Sequence, residues 1–249
     1  ADIEAAAREA RYRLMGAWCR SVGINALYIA HTIEDQAETF LLRLARGSGL
    51  DGLSAMQKIS PFPLSGFGGL KLVRPLLGMT RAQLRDYLKK EGVRWTEDPM
   101  NEDPRFARVR IRKAWPQLEA LGLTPARIAD AAAHLARARA AQEGATEALL
   151  ARACRFEGEK AFVDAAAIAA APRETGLRAL AAVLGRVSGS AYRPRFERLE
   201  RLFDSIAEGS LGRGATLQGC RIAPAPRRFA SFGGNSLMVE RERPRKLRG

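Results

Sequence analysis

The chain predicts an α/β protein: a partial doubly wound parallel sheet followed by a mainly helical domain with a small β-hairpin. Three observations carry this. Ala26-Leu27-Tyr28-Ile29 is a short apolar run that reads as a buried strand, and Ile33 to Arg46 after it has helical periodicity. Residues 69–73 read as a second strand that stops at Arg74-Pro75, because proline halts ladder pairing. Beyond residue 115 the composition shifts to alanine- and arginine-rich helical segments with few large apolar residues. The expected division is therefore 1–115 and 116–249.

In chain order, residues 4–20 predict an amphipathic helix with Ala7, Leu14 and Trp18 among its apolar positions and Arg8, Arg11 and Arg13 beside them. The second helix places Ile33, Ala37, Phe40, Leu41 and Leu44 on one stripe. Thr32 and Asp35 have the spacing of a capping box, and Gly47 suits its end. Thr80 and Gln83 form a second capping box for a helix to about Glu91, with Leu84 and Leu88 facing inward and Gly92 following. Trp95 is expected to pack, and Glu97-Asp98-Pro99 to turn the chain.

Thr124-Pro125 caps a long helix reaching about Arg155, with Ile128, Leu135 and Leu149 as its large buried residues. Pro172 starts a helix carrying Leu177, Leu180 and Leu184 to about Val187. Pro194 starts another, with Phe196, Leu199, Phe203 and Ile206, ended by Gly209. His134, among alanines, reads as packing or surface. The hairpin is expected to pair Ala215–Ile222 with Phe232–Glu240 around Gly233-Gly234-Asn235. Arg241 to Arg248 forms a basic end.

The candidate site follows from position. His31 falls where the first strand ends, and Asp35 and Glu38 fall in the first turns of the next helix. The crevice at the carboxyl ends of strands is where open α/β sheets bind ligands. At about 100° per residue the two acids project together, away from the apolar stripe. Acids also suit helix starts on macrodipole grounds alone. A metal on His31 and Asp35 lacks companion ligands of suitable spacing. A second functional stretch runs from Arg94 to Lys113, where Arg105, Arg108, Arg110, Arg112 and Lys113 crowd five cations into nine residues, with Val109 and Ile111 expected to be buried. Like charges repel, and a phosphate-rich ligand offsets that repulsion.

His31-x-x-x-Asp35-Gln36-Ala37-Glu38-Thr39, then Phe40 to Leu53, Gly69 to Leu77, and Glu97-Asp98-Pro99-Met100-Asn101 running to Arg112, resemble the tRNA(Ile)-lysidine synthases in order and spacing over roughly residues 5–115. The resemblance implies an adenine nucleotide alpha hydrolase-like fold with a tRNA-facing helical domain. It also implies ATP-dependent attachment of free lysine to C2 of the wobble cytidine of an isoleucine tRNA with a CAU anticodon, through an adenylated intermediate, with Mg2+ carried on the pyrophosphate. Residue by residue, Asp35 and Glu38 are expected to hold one ammonium of lysine and help deprotonate the attacking amine, and Arg108 to act with them in catalysis. His31 and Arg11 are expected to line the ATP site, and Arg74, Arg105 and Arg112 to contact substrate. Replacing Asp35 or Glu38 by alanine is expected to reduce lysine incorporation greatly and to spare the fold.

The family's Ser-Gly-Gly-x-Asp-Ser nucleotide loop does not occur in the sequence; Gly47 to Gly52 follows a helix and lacks the context of a phosphate loop. The chain is therefore expected to be a fragment, inactive alone. Its net charge of +14 suits a polyanion partner. No run approaches the roughly 18 apolar residues of a membrane helix. Cys19, Cys154 and Cys220 are far apart, which argues against metal or disulfide frameworks and fits a reducing cytoplasm. A homodimer is compatible with the sequence. The competing readings are a tRNA-thiolating ATP-pyrophosphatase, a chemistry that commonly uses paired cysteines, and a non-catalytic basic RNA-binding module.

Overall fold

A computed structural model describes residues 3–96, 103, 105–190, 192–226, 232 and 236–242. The Glu97-to-Asn101 motif, Pro104, Gly233-Gly234-Asn235 and the tail from residue 243 lie outside the described residues. The chain divides into two compact units, 1–139 and 140–249. The division falls within a long helix, later than the change of composition near residue 115.

Unit 1 opens with α1 (Ile3–Ser21), β1 (Ala26–Tyr28), α2 (Ile33–Leu44) and the short α3 (Leu50–Leu53). It continues with β2 (Ile59–Pro61), β3 (Lys71–Val73), α4 (Arg81–Lys90), α5 (Ala107–Ala120) and α6 (Pro125–Ala153), the helix that runs on into unit 2. Its sheet has the order β1-β3-β2. The β1–β3 pair is parallel, as expected for this class, with Leu27 opposite Leu72. β2, which the sequence did not announce, pairs antiparallel with β3. It is three residues long and ends in a proline, so it carries almost no periodic signal.

The core of unit 1 joins α1 to the sheet through Tyr12, Cys19, Phe62, Leu70 and Leu72. Tyr12 meets Phe62 edge-on, with ring centroids 5.6 Å apart. This corrects the expected apolar face of α1. Leu14 is 73% exposed and Trp18 57%, and the buried line is Tyr12, Gly16 and Cys19 instead. Trp95, expected to pack, is 40% exposed. Both predicted capping boxes form, at Thr32/Asp35 and at Thr80/Gln83. α2 ends at Leu44, two residues early, through a turn into Gly47 at φ +71°.

Unit 2 departs further from expectation. It is not a helical module with one hairpin: it holds a five-stranded antiparallel sheet of order β4-β5-β8-β7-β6. The strands are β4 (Cys154–Glu157), β5 (Lys160–Asp164), β6 (Ala215–Leu217), β7 (Cys220–Pro224) and β8 (Ser236–Arg241). Between them run α7 (Ala165–Ala170), α8 (Arg173–Ser188) and α9 (Phe196–Ala207). α6 stops at Ala153, so Arg155 lies in β4. Ala215–Ile222 is not one strand but contains the β6–β7 hairpin, turned at Gln218-Gly219, both with positive φ. That is the backbone of a two-residue hairpin turn of the mirror-image type. Phe162, Val163, Leu177, Leu180, Leu184, Leu199, Phe203, Ile206, Ile222 and Val239 are buried within this unit, as the leucine spacing of α8 requires. Phe196 is the exception in α9, exposed at its first turn.

Candidate active site

α2 builds the site. Its capping box sets the first turn: Asp35 Oδ2 accepts from both the Thr32 backbone N–H and the Thr32 hydroxyl, each at 2.9 Å. One turn on, Glu38 is 0% exposed. The two acids do project together, but the face they occupy is covered rather than open. α5 packs on α2, and the N-terminus of α4 is fastened to that of α2. The Ile33 N–H donates to the Met79 carbonyl at 3.0 Å, and the Arg81 N–H donates to the Glu34 carboxylate at 2.9 and 3.1 Å.

Three arginines then close over the acids. Arg112 donates from Nε to Glu38 Oε1 at 2.7 Å and from Nη2 to Oε2 at 3.3 Å. Arg108 lies 3.6 Å from Asp35 Oδ1 and 3.9 Å from Glu38 Oε2, and donates to the Thr39 hydroxyl at 3.4 Å. Arg81, at the first position of α4, places one Nη2 2.8 Å from Asp35 Oδ1 and 3.1 Å from Glu38 Oε1. A buried carboxylate persists as an ion only when such partners satisfy it. Burial alone would raise the Asp35 pKa; the Thr32 backbone N–H and the Arg81 charge outweigh it and hold the carboxyl below its usual range. Burial likewise opposes the Arg81 charge, but Asp35 and Glu38 raise its pKa overall.

His31 adjoins the cluster. Burial lowers its pKa to about 4; Asp35 opposes the shift, while Arg74, Arg108 and Arg8 add to it. The imidazole is therefore neutral at pH 7. Its Nδ1 is buried with no hydrogen-bond partner among the described residues, and the arginines around it suit a negatively charged ligand.

The remaining predicted residues separate. Arg74 is buried, and its Nη1 donates to the Gln57 carbonyl at 2.9 Å and to Ser60 Oγ at 3.0 Å, holding the β2 end against β3. Arg11 is exposed on α1. The α1 arginine whose charge reaches His31 and Arg74 is Arg8, one turn earlier and stacked over the Tyr12 ring at 5.0 Å. Arg105 is exposed and grips Asp103, with Nη2 2.6 Å from Oδ2. The structure thus brings together His31, Asp35, Glu38, Arg108 and Arg112, and leaves Arg11 and Arg105 outside that cluster. Sequence reasoning missed Arg81 and Arg8. Arg81 follows a capping-box threonine, and that position beside a helix N-terminus was its one available signal.

The Gly47–Gly52 segment is held from inside the unit: Arg43 Nη1 donates to the Gly52 and Ala55 carbonyls at 2.8 and 2.9 Å. Among the described residues no three His, Cys, Asp or Glu side chains converge as metal ligands. No helix among them is long and apolar enough to cross a membrane.

Residues 1–118 match the PP-loop domain family, the part of the chain that carries the acid–arginine cluster. The chain is 40% identical to a tRNA(Ile)-lysidine synthase of Methylobacterium nodulans over 252 residues, covering 98% of this chain and 70% of that protein. It is 38% identical to one of Bradyrhizobium sp. over 265 residues, covering all of this chain and 71% of that one. With one of Ruegeria pomeroyi the identity is 36% over 228 residues, 92% of this chain and 52% of the relative, so the chain spans about half the length of that protein. The chain belongs to the tRNA(Ile)-lysidine synthase family and carries a PP-loop domain in its first 118 residues.

Proposed function

We propose that the parent protein uses ATP to join free lysine to C2 of the wobble cytidine of an isoleucine tRNA with a CAU anticodon, and that the cluster on α2 serves the lysine-transfer half of this reaction. The observation that carries the reading is the pairing of Asp35 and Glu38 with Arg81, Arg108 and Arg112 beside a neutral His31. Such a site offers acids for an amine and guanidinium groups for phosphate in one place.

In the first half-reaction the C2 oxygen of the cytidine attacks the α-phosphorus of ATP and pyrophosphate leaves. His31, with an unpartnered Nδ1, accepts a hydrogen bond from, or donates one to, the nucleotide according to its tautomer. Arg8 and Arg108 offset nucleotide charge. Mg2+ carried on the nucleotide's pyrophosphate would supply further charge neutralisation there. In the second half-reaction the neutral amine of lysine attacks C2, the C2–O bond breaks and AMP departs with that oxygen. Asp35 is the acid placed to take the amine proton, since it keeps partial solvent access. Glu38 holds the arginines in position, and Arg108 and Arg112 stabilise the phosphate charge released with AMP.

The three cysteines, Cys19, Cys154 and Cys220, are all buried, and burial pushes the Cys154 thiol up to about 11. This disfavours sulfur transfer, which needs an accessible thiolate. The test is incorporation of radiolabelled lysine into a CAU-anticodon isoleucine tRNA transcript by the full-length parent protein. ATP-dependent label in that tRNA, absent from a transcript with another anticodon, supports the reading. No label, from folded protein that binds tRNA, sinks it in favour of a basic RNA-binding module.

A further inference from the structure

The acid pair that would receive the lysine ammonium already has a cation on it. Asp35 Oδ2 is committed to the Thr32 N–H and hydroxyl. Its other oxygen, Oδ1, is met by Arg81 at 2.8 Å. Glu38 is fully buried, and its Oε1 is met by both Arg112 and Arg81. Among the described residues, three guanidinium groups, those of Arg81, Arg108 and Arg112, lie within 4 Å of the two carboxylates of Asp35 and Glu38. Adding an ammonium beside carboxylates that guanidinium groups already occupy is unfavourable unless a resident cation leaves.

The contacts indicate which one leaves. Arg112 grips Glu38 through two nitrogens, and its side chain is 26% exposed. Arg108 stands 3.6 Å or more from either acid and does not occupy the oxygens. Arg81 reaches both acids through a single nitrogen, with its side chain 35% exposed. Its main chain is anchored separately, through its own N–H on Glu34 and through Ile33 on Met79. The guanidinium can therefore swing out without undocking α4. Resting on the function proposed above, we propose that Arg81 is the resident counter-ion of the acid pair, and that the substrate ammonium takes its place on Asp35. Arg81 thereby sets the threshold for lysine: the ligand must carry a positive charge, and its apparent affinity is lowered by the fraction of protein in which Arg81 occupies the pair.

The experiment is steady-state kinetics of the full-length parent protein with Arg81→Gln and Arg81→Lys, varying lysine at saturating ATP and tRNA. A competing cation removed from a partly exposed pair predicts a KM for lysine lower by about 5-fold in Arg81→Gln. The shorter Arg81→Lys chain predicts a smaller fall, and provides the result should the glutamine variant not fold. Guanidinium ion at low millimolar concentration should restore the higher KM in Arg81→Gln, competitively with lysine. A strut that only holds α4 to α2 would give the opposite pattern: a raised or unchanged KM in both variants and no competition by guanidinium, which overturns the proposal. Asp35→Asn separates the two levels of the argument. If its KM for lysine is unchanged, the acid pair is not the lysine seat and the function proposed for it falls. If that KM rises while the Arg81 variants show no fall, only the role of Arg81 falls.

Discussion

Arg112 and Glu38, 74 positions apart in sequence, are joined by a two-nitrogen grip at 2.7 and 3.3 Å around a carboxylate with no solvent exposure. This pairing changes what substitution at Glu38 should do. Removing a buried partner leaves the arginines uncompensated and typically costs about 3–5 kcal/mol. Glu38→Ala is therefore expected to lower stability by about 3 kcal/mol as well as to abolish activity, whereas Asp35→Ala, at the edge of the cluster, costs about 1 kcal/mol. Denaturant unfolding of the two variants side by side checks the difference. Equal, small losses would mean that Glu38 is not the anchor.

Arg108 and Arg105 test whether proximity in sequence or in space matters. Arg105→Ala removes an exposed side chain that, among the described residues, pairs with Asp103 two positions away and should leave the melting temperature unchanged, with lysine incorporation within about 3-fold of the parent. Arg108→Ala should reduce incorporation by about 100-fold, the scale of losing one charge-stabilising donor. Comparable losses in both would place the phosphate-binding surface along the 105–113 run as a whole.

How much of this was legible in the sequence depended on distance along the chain. Asp35, Glu38 and His31 could be placed because a strand, a capping box and a helix lie within 15 residues of each other, and local spacing fixes such geometry. Arg81 and Arg8 could not, because their roles depend on how α4 and α1 dock on α2 and the sheet. The burial of Glu38 has the same origin: a helix periodicity shows which residues share a face but not what covers it. In unit 2, the alanines before Cys154 extended the helical pattern past its end. The alternating Cys154–Asp164 segment, turned at Gly158 with φ +58°, was the strand signal that this masked. The sheet there is assembled from strands about 80 residues apart, β5 with β8, a pairing that local periodicity does not encode.

His31 predicts a pH dependence of stability. Its pKa is about 4 in the folded protein against 6.5 unfolded, so between these values the unfolded chain binds the extra proton. Stability is therefore full above pH 6.5 and falls as pH drops toward 4, by about 1–2 kcal/mol once solvent screening of the partly exposed ring is allowed for. Asp35, held below its usual range, acts in the same direction but at lower pH. His31→Gln should flatten the slope between pH 6.5 and 4 in denaturant titrations; an unaltered slope would show that the imidazole is not desolvated.

Gly214 is a backbone requirement of unit 2. Its φ is +118°, and a Cβ there would come 2.5 Å from the Ile222 carbonyl oxygen across the β6–β7 hairpin. Gly214→Ala should destabilise by at least about 2 kcal/mol, read from the midpoint of thermal or denaturant unfolding. A stability loss below about 0.5 kcal/mol would mean that the hairpin entry relaxes freely.

In the proposed reaction Asp35 serves the amine and not the nucleotide. The most direct measurement is the partition of the two half-reactions in the full-length parent protein carrying Asp35→Asn: pyrophosphate release from ATP with tRNA present, and label transfer from lysine. Pyrophosphate release is expected within about 5-fold of the parent, and lysine transfer reduced by about 100-fold or more, the scale of a lost general base. Lysine transfer at the parental rate, or loss of both half-reactions together, would contradict it.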